Sequence, residues 1–265
     1  MLLLTKYLDK QQKQQKIFLV FKSNIPIKKS WGQNFLVDTN TIDKIINIIN
    51  PNKKDNILEI GPGHGALTKQ LLHSSNNLYA IEIDPLLCKN LKENFTSLNI
   101  INSDILKWDD DKIKYNKVVG NIPYNISSQI IFKFLTKKWD TMFLMVQKEL
   151  ANRIISNEGT KEYGRISVMV QNFCNVEYAC DISKNVFHPK PKVDSGILKF
   201  KRINNSINIQ KFSLFVKEAF KQRRKKLKNN LKNICDYKLI KEYAEKRPEE
   251  ISPKTYLILF NKIYF

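Results

Sequence analysis

The sequence predicts a doubly wound α/β sheet followed by a small, all-helical C-terminal domain. Three observations predict it. Short apolar segments alternate with amphipathic helical segments from about residue 55 to 150. Glycines and acids gather where those apolar segments end. After Phe200 the composition changes: residues 211–265 contain no glycine and are rich in Lys, Arg and Leu. Alternation of this kind gives a parallel sheet covered by helices on both faces. Ligands of such sheets bind outside the carboxyl ends of the strands.

The elements follow in order. Residues 1–27 read as a flexible or weakly helical N-terminal extension. Its apolar runs, Leu2–Leu4 and Ile17–Phe21, fall far short of the ~20 residues that cross a bilayer. The Gln/Lys stretch between them interrupts any signal-peptide core, and the first arginine is Arg153, unlike an Arg-rich organelle leader. A cytoplasmic protein is expected. Ile42, Ile45, Ile46 and Ile49 share one helical face, and Pro51 stops that helix. Residues 56–60 form a buried strand and 66–72 the helix after it. Residues 77–83 give a second strand, closed by Asp84-Pro85, and 85–95 its helix. Strands at 99–104 and 117–120, a helix at 127–135 and a strand at 141–146 complete the alternation. The chain thus divides into the extension, a catalytic domain over 28–203 and a helical domain over 204–265. In the last, Phe212, Phe215, Val216, Ala219 and Phe220 mark a helix face, with Pro248 and Pro253 as breakers.

Lys and Arg number 45 against 25 Asp and Glu, a formal charge of +20. Such a surface concentrates polyanions, with nucleic acid the first candidate and an anionic membrane the second. The four cysteines form no C-x-x-C pair, and no histidine stands at zinc-finger spacing. No metal is expected, and the cysteines read as small core residues of a reduced compartment.

Two loops carry chemistry. The first is Glu59-Ile-Gly61-Pro-Gly63-His-Gly65, between a strand and its helix. Its glycines let the backbone turn tightly and approach a ligand. Glu82 ends the next strand, where an acid can hold ribose hydroxyls. Asp104 ends the third and could take an adenine amine. Ala66 keeps a dinucleotide spacing possible, but an acid entering the loop at Glu59 disfavours a diphosphate and suits a cationic cofactor such as S-adenosylmethionine. The second loop is Gly120-Asn121-Ile122-Pro123-Tyr124. The lone pair of an exocyclic adenine amine is delocalised into the ring. Two acceptors on its N–H bonds help it pyramidalise towards a methyl donor. The Asn121 side-chain oxygen is one acceptor, and the backbone carbonyl of Ile122 or Pro123 is the other. Pro123 stiffens the loop, and Tyr124 offers a ring for a flipped base.

These motifs resemble the ribosomal RNA adenine dimethyltransferases of the KsgA type. The resemblance runs from Gln33 nearly to the C-terminus. It rests on Gln33–Leu36, Leu58–Thr68, Glu82–Asp84, Ser103–Leu106, Gly120–Ser128, Tyr163–Gln171 and Phe187–Ser195. It implies a class I methyltransferase fold, a Rossmann-like doubly wound sheet. It also implies that Asn34, Leu36, Gly61, Glu82, Asp104 and Asn121 contact S-adenosylmethionine. Asn121, Pro123 and Tyr124 would present the target amine, with Phe187 a second aromatic wall. The family dimethylates two adjacent adenosines near the 3′ end of small-subunit rRNA, without a metal. A sister branch methylates one adenine of large-subunit rRNA. Here Phe212–Arg224, Leu227–Leu231 and Arg247–Ile251 look like the small-subunit group.

Charge density adds an expected RNA surface of Lys190, Lys192, Arg223, Arg224, Lys225, Lys226 and Lys228, holding phosphate without reading sequence. A monomer working on the immature small subunit is expected. No histidine should be essential, because the reaction needs near-attack geometry more than a strong base. The rival readings are the large-subunit branch, a catalytically silent RNA-binding factor, and a dinucleotide-dependent oxidoreductase for which no hydride site is evident.

Overall fold

The computed structural model describes residues 25–109 and 113–265. The first 24 residues of the expected extension lie outside the described residues. The N-terminal half comprises β1 (Phe35–Leu36), α1 (Thr39–Ile49), β2 (Asn56–Ile60), α2 (Thr68–Ser74), β3 (Asn77–Glu82), α3 (Pro85–Asn94), β4 (Asn99–Asn102) and β5 (Lys117–Asn121). Then come α4 (Ser127–Leu135), β6 (Thr141–Gln147), α5 (Lys148–Ile155), α6 (Arg165–Phe173), β7 (Cys174–Ile182), β8 (Phe187–His188) and β9 (Ser195–Arg202). The helices α7 (Ile209–Ala219), α8 (Leu227–Leu231), α9 (Tyr237–Ile240) and α10 (Pro253–Tyr264) end the chain.

Seven strands form one sheet in the order β4-β3-β2-β5-β6-β9-β7. From β4 to β6 the pairs are parallel. β9 runs antiparallel between β6 and β7. The chain winds outward from β2 to β4, then returns to lay β5 on the other side of β2. That reversal opens a crevice at the carboxyl ends of β2 and β5. The five strands read from alternation are present. The α5–α6 pair and the antiparallel strands β7, β8 and β9 are not part of that alternation.

Local chemistry explains the boundaries. The Asp38 carboxylate accepts the Thr41 amide at 2.7 Å to cap α1, and Asn50 ends the helix in a left-handed conformation (φ 44°) ahead of Pro51. Asp84 caps α3 in the same way, with Pro85 at its first turn. α2 starts at Thr68, two residues later than the periodicity predicts. The glycine loop extends through Gly65 (φ 85°), and no side chain caps the helix at Leu67.

Each strand divides its side chains between two core layers. Leu58, Ile60, Ile81, Val118, Met142 and Leu144 face one; Ile57, Leu78, Ala80, Val119, Phe143 and Met145 face the other. The first layer continues without a break into the C-terminal helices. Phe212 of α7 meets Phe173 of α6 at 5.7 Å and Phe260 of α10 at 5.3 Å, both edge-on. Tyr163 and Tyr256 are fully buried in the same layer, and the Tyr163 hydroxyl donates to the Ile251 carbonyl at 2.8 Å.

Candidate active site

A cavity of about 250 Å³ lies at the carboxyl ends of β2, β3 and β5. Asn34, Leu36, Gly61, Glu82, Asp104 and Asn121, named from the sequence, all line it, as do Glu59, Pro123 and Tyr124. The strand order brings Glu59, Gly61, Glu82, Asp104 and the Asn121–Tyr124 loop together at the ends of adjacent strands, while Asn34 and Leu36 come from the segment around β1, outside that sheet.

The glycine loop is held open by its backbone. Gly61, Gly63 and Gly65 have φ values of 67°, 59° and 85°, a region where glycine carries no Cβ penalty. A Cβ on Gly63 would lie 2.8 Å from the Phe35 ring. Glu82 is 6% exposed, and its carboxylate accepts the amides of Gly63 (3.2 Å) and Asp84 (3.0 Å). Burial pushes its pKa up, against the pull of those amides. Glu59 is 2% exposed and accepts one hydrogen bond, from the Thr68 hydroxyl at 2.7 Å. Burial raises its pKa to about 7; the Thr68 bond opposes this, and the nearby Glu82 charge adds to it. Among the described residues neither glutamate has an ion pair. Two buried carboxylates without a cation fit a ligand that brings positive charge. Asp104 is half-buried, and its carboxylate accepts the Leu106 amide at 2.9 Å.

The amine-handling loop starts where β5 ends. The Asn121 Nδ2 donates to the Asn34 carbonyl at 2.9 Å. That bond fixes the amide and leaves Oδ1 as an acceptor. The sequence leaves two carbonyls as candidates for the second acceptor. The Pro123 carbonyl already accepts the Ser127 hydroxyl at 2.9 Å and the Ile126 amide at 3.3 Å, so Ile122 is the better placed. The Tyr124 hydroxyl shares a 2.6 Å hydrogen bond with Ser195 Oγ, at the start of β9. This anchors the ring by its edge and leaves its face for stacking.

Three groups of expected site residues lie outside the cavity or make contacts within the protein. Phe187 does not line the cavity. It is 4% exposed, paired with Leu36 in the β1–β8 ladder and packed into the second core layer. Arg223 is a clasp within the protein: it donates to the Glu249 carboxylate and to the Thr160 and Lys161 carbonyls. Lys226 and Lys228 both pair with Glu245, which cancels part of their charge. Lys190, Lys192, Arg224 and Lys225 are exposed. His64 packs edge-on against Phe35 with 4.5 Å between ring centroids, and burial lowers its pKa to about 4. It is therefore neutral near pH 7 and poorly suited to act as a base. His73 and His188 are exposed.

Sequence reasoning missed Ser127 and Ser195. Ser127 could have been found as a hydroxyl four residues after Pro123, at the start of a helix. Ser195 lies 71 positions from Tyr124, and no local signal joins them. Among the described residues, no group of three or more His, Cys, Asp or Glu could hold a metal, and no helix is long and apolar enough to cross a membrane.

The family profile described as ribosomal RNA adenine dimethylase matches residues 24–256. The chain is 45% identical over 246 residues to ribosomal RNA small subunit methyltransferase A of Legionella pneumophila (strain Corby), covering 88% of this chain and 96% of the relative. Its structure is similar to the crystal structure of a dimethyladenosine transferase from Plasmodium falciparum, with TM-score 0.77, 28% identity, and coverage of 86% and 98% of the two chains. It is also similar to the 23S rRNA methyltransferase ErmE, with TM-score 0.67, 25% identity, and coverage of 86% and 99%. The fold is that of the class I methyltransferases.

Proposed function

Because this chain belongs to the ribosomal RNA adenine dimethylase family, we propose that it dimethylates N6 of two adjacent adenosines near the 3′ end of small-subunit rRNA. The carrying observation is that one cavity holds both halves of the chemistry. The buried acids Glu59 and Glu82 face it from β2 and β3, and the Asn121–Tyr124 loop faces it from β5. The small-subunit target is favoured over the large-subunit one by degree of similarity. Among solved structures, the dimethyladenosine transferase matches with TM-score 0.77 and 28% identity and the 23S rRNA enzyme with 0.67 and 25%, and the relative named for the small subunit is 45% identical in sequence.

S-adenosylmethionine supplies an electrophilic methyl group on a sulfonium. The residues of this chain do the rest. Glu82 takes the ribose hydroxyls. Glu59 offers negative charge to the cationic end of the donor. Gly61 and Gly63 allow close backbone approach, and Asp104 accepts from the adenine amine. Asn34 and Leu36 line the wall contributed by the segment ahead of α1. The target adenine stacks on Tyr124. Asn121 Oδ1 and the Ile122 carbonyl accept its two N–H bonds, which draws the nitrogen lone pair out of conjugation. Pro123 holds that carbonyl in direction. Positioning does most of the work, and water takes the proton that the amine sheds after transfer.

Lys190, Lys192, Arg224 and Lys225 hold RNA phosphate, with the helical segment over residues 204–265 as the RNA-binding part of the chain. On this reading the chain acts as a monomer on the immature small subunit in the cytoplasm. The test is transfer of labelled methyl groups to unmodified small and large ribosomal subunits, with the modified base identified by mass. Dimethyladenosine in the small-subunit RNA alone is the expected result. Label in the large-subunit RNA would move the chain to the other branch.

A further inference from the structure

Residues 30–36 form one wall of the cavity. The downstream end of this strap is fixed to the core. Phe35 and Leu36 pair with His188 and Phe187, and the Asn34 carbonyl holds Asn121. The upstream end is tied differently. The Lys28 ammonium donates to the Asp84 carboxylate at 3.0 Å, and the Gln33 amide reaches the other oxygen of that carboxylate at 3.4 Å. The Lys28 backbone amide donates to Gln33 Oε1 at 2.7 Å, and its ammonium lies 4.0 Å from the centroid of the Trp31 ring.

Asp84 makes this more than a surface ion pair. Its side chain is fully buried, whereas that of Lys28 is 31% exposed. Its backbone amide braces Glu82, and its carboxylate caps α3 through the Leu86 amide at 3.0 Å. The same residue therefore supports the ribose-binding acid and receives the strap. Charge-assisted bonds to a buried carboxylate are among the strong ones, but the lysine end can swing into water.

We propose that Lys28 is a positioning residue that latches residues 28–36 across the methyl-donor cavity and so sets how fast the donor leaves. The proposal rests on the donor reading given above. It makes an unusual prediction of sign. Lys28 is a cation beside a site for a cationic ligand, so simple Coulomb reasoning has its removal tighten donor binding. A latch has its removal loosen it.

The experiment measures dissociation constants and off-rates of S-adenosylmethionine and S-adenosylhomocysteine, which lacks the sulfonium charge. It uses full-length wild type, Lys28→Ala and Lys28→Arg. The expected result is that Lys28→Ala releases both ligands about tenfold faster, the equivalent of one charge-assisted bond. Lys28→Arg should restore wild-type release. Methyl transfer at saturating donor should stay within about twofold, because Asn34 and Asn121 remain anchored, so KM moves and kcat does not. Unchanged or tighter binding in Lys28→Ala, or an effect on only one ligand, overturns the latch. Failure of the wild type to bind either ligand overturns the donor reading, and the latch falls with it.

Discussion

The two ends of the parallel sheet treat buried charge in opposite ways. At the amino ends of β2 and β5, Asp55 and Lys117 are 5% and 7% exposed and lie 2.6 Å apart. The Lys117 ammonium also reaches the carbonyls of Ile49 and Asn50, both at 3.3 Å, and Asp55 accepts the Asn52 amide at 2.9 Å. Both buried charges there have partners. At the carboxyl ends, Glu59 and Glu82 are equally buried and have no cation among the described residues. The amino end serves the fold. The carboxyl end is left electrostatically incomplete, and a cationic ligand completes it.

The largest effect is expected at the amino end. Replacing Lys117 with Ala strands Asp55 in the core, at a cost of about 3–5 kcal/mol. Urea unfolding of the variant should show that loss, while activity per folded molecule holds. A stability change below about 1 kcal/mol would mean that the pair is not a lock. At the carboxyl end, Asn121→Ala removes an acceptor from the amine, and methyl transfer should fall on the order of 10²-fold. Single-turnover rates decide this, with stability largely kept.

The pH response sharpens the contrast. The folded-state pKa of Glu59 is raised from 4.5 to about 7. The contribution of its protonated form to the empty protein is full below about pH 4.5. It falls as pH rises and is gone once pH passes about 7. Glu59→Gln, which cannot ionise, should flatten that part of a melting-temperature profile. A variant profile with the wild-type slope between those limits would remove Glu59 from the account. The smallest effect expected is at the RNA surface. Arg224→Glu should lower the slope of log binding constant against log salt by roughly one or two phosphate contacts, without changing the modified nucleotide. Filter binding across a salt series measures it.

The same contrast explains what the sequence revealed. Strands β2 to β6 were legible because buried parallel strands are short apolar runs between turn residues. Their order brings Gly61, Glu82, Asp104 and Asn121 to one cavity, and that convergence was legible too. β7 and β9 were not. They follow a helix pair that breaks the alternation, and β9 inserts between two strands that precede it in the chain. The core packing of Phe187 was not legible, because an aromatic in a motif looks the same whether it faces a cavity or the core. The ion pairs of Arg223, Lys226 and Lys228 were not legible, because a run of cations does not reveal Glu245 and Glu249, which are brought alongside by a later turn of chain. The Lys28–Asp84 contact joins positions 56 apart, and no periodicity reports it.

The aromatic packing that carries the core from α6 into α7 and α10 bears on how this enzyme could be recombined with its relatives. A seam at residue 203 looks natural in the sequence, yet it would cut through the contacts of Phe173 with Phe212 and of Tyr163 with Ile251. A chimaera that exchanges the C-terminal helices alone inherits mismatched halves of one interior. Target specificity, if it resides in those helices, is therefore transplantable only together with α6 and the residues of the sheet that it covers.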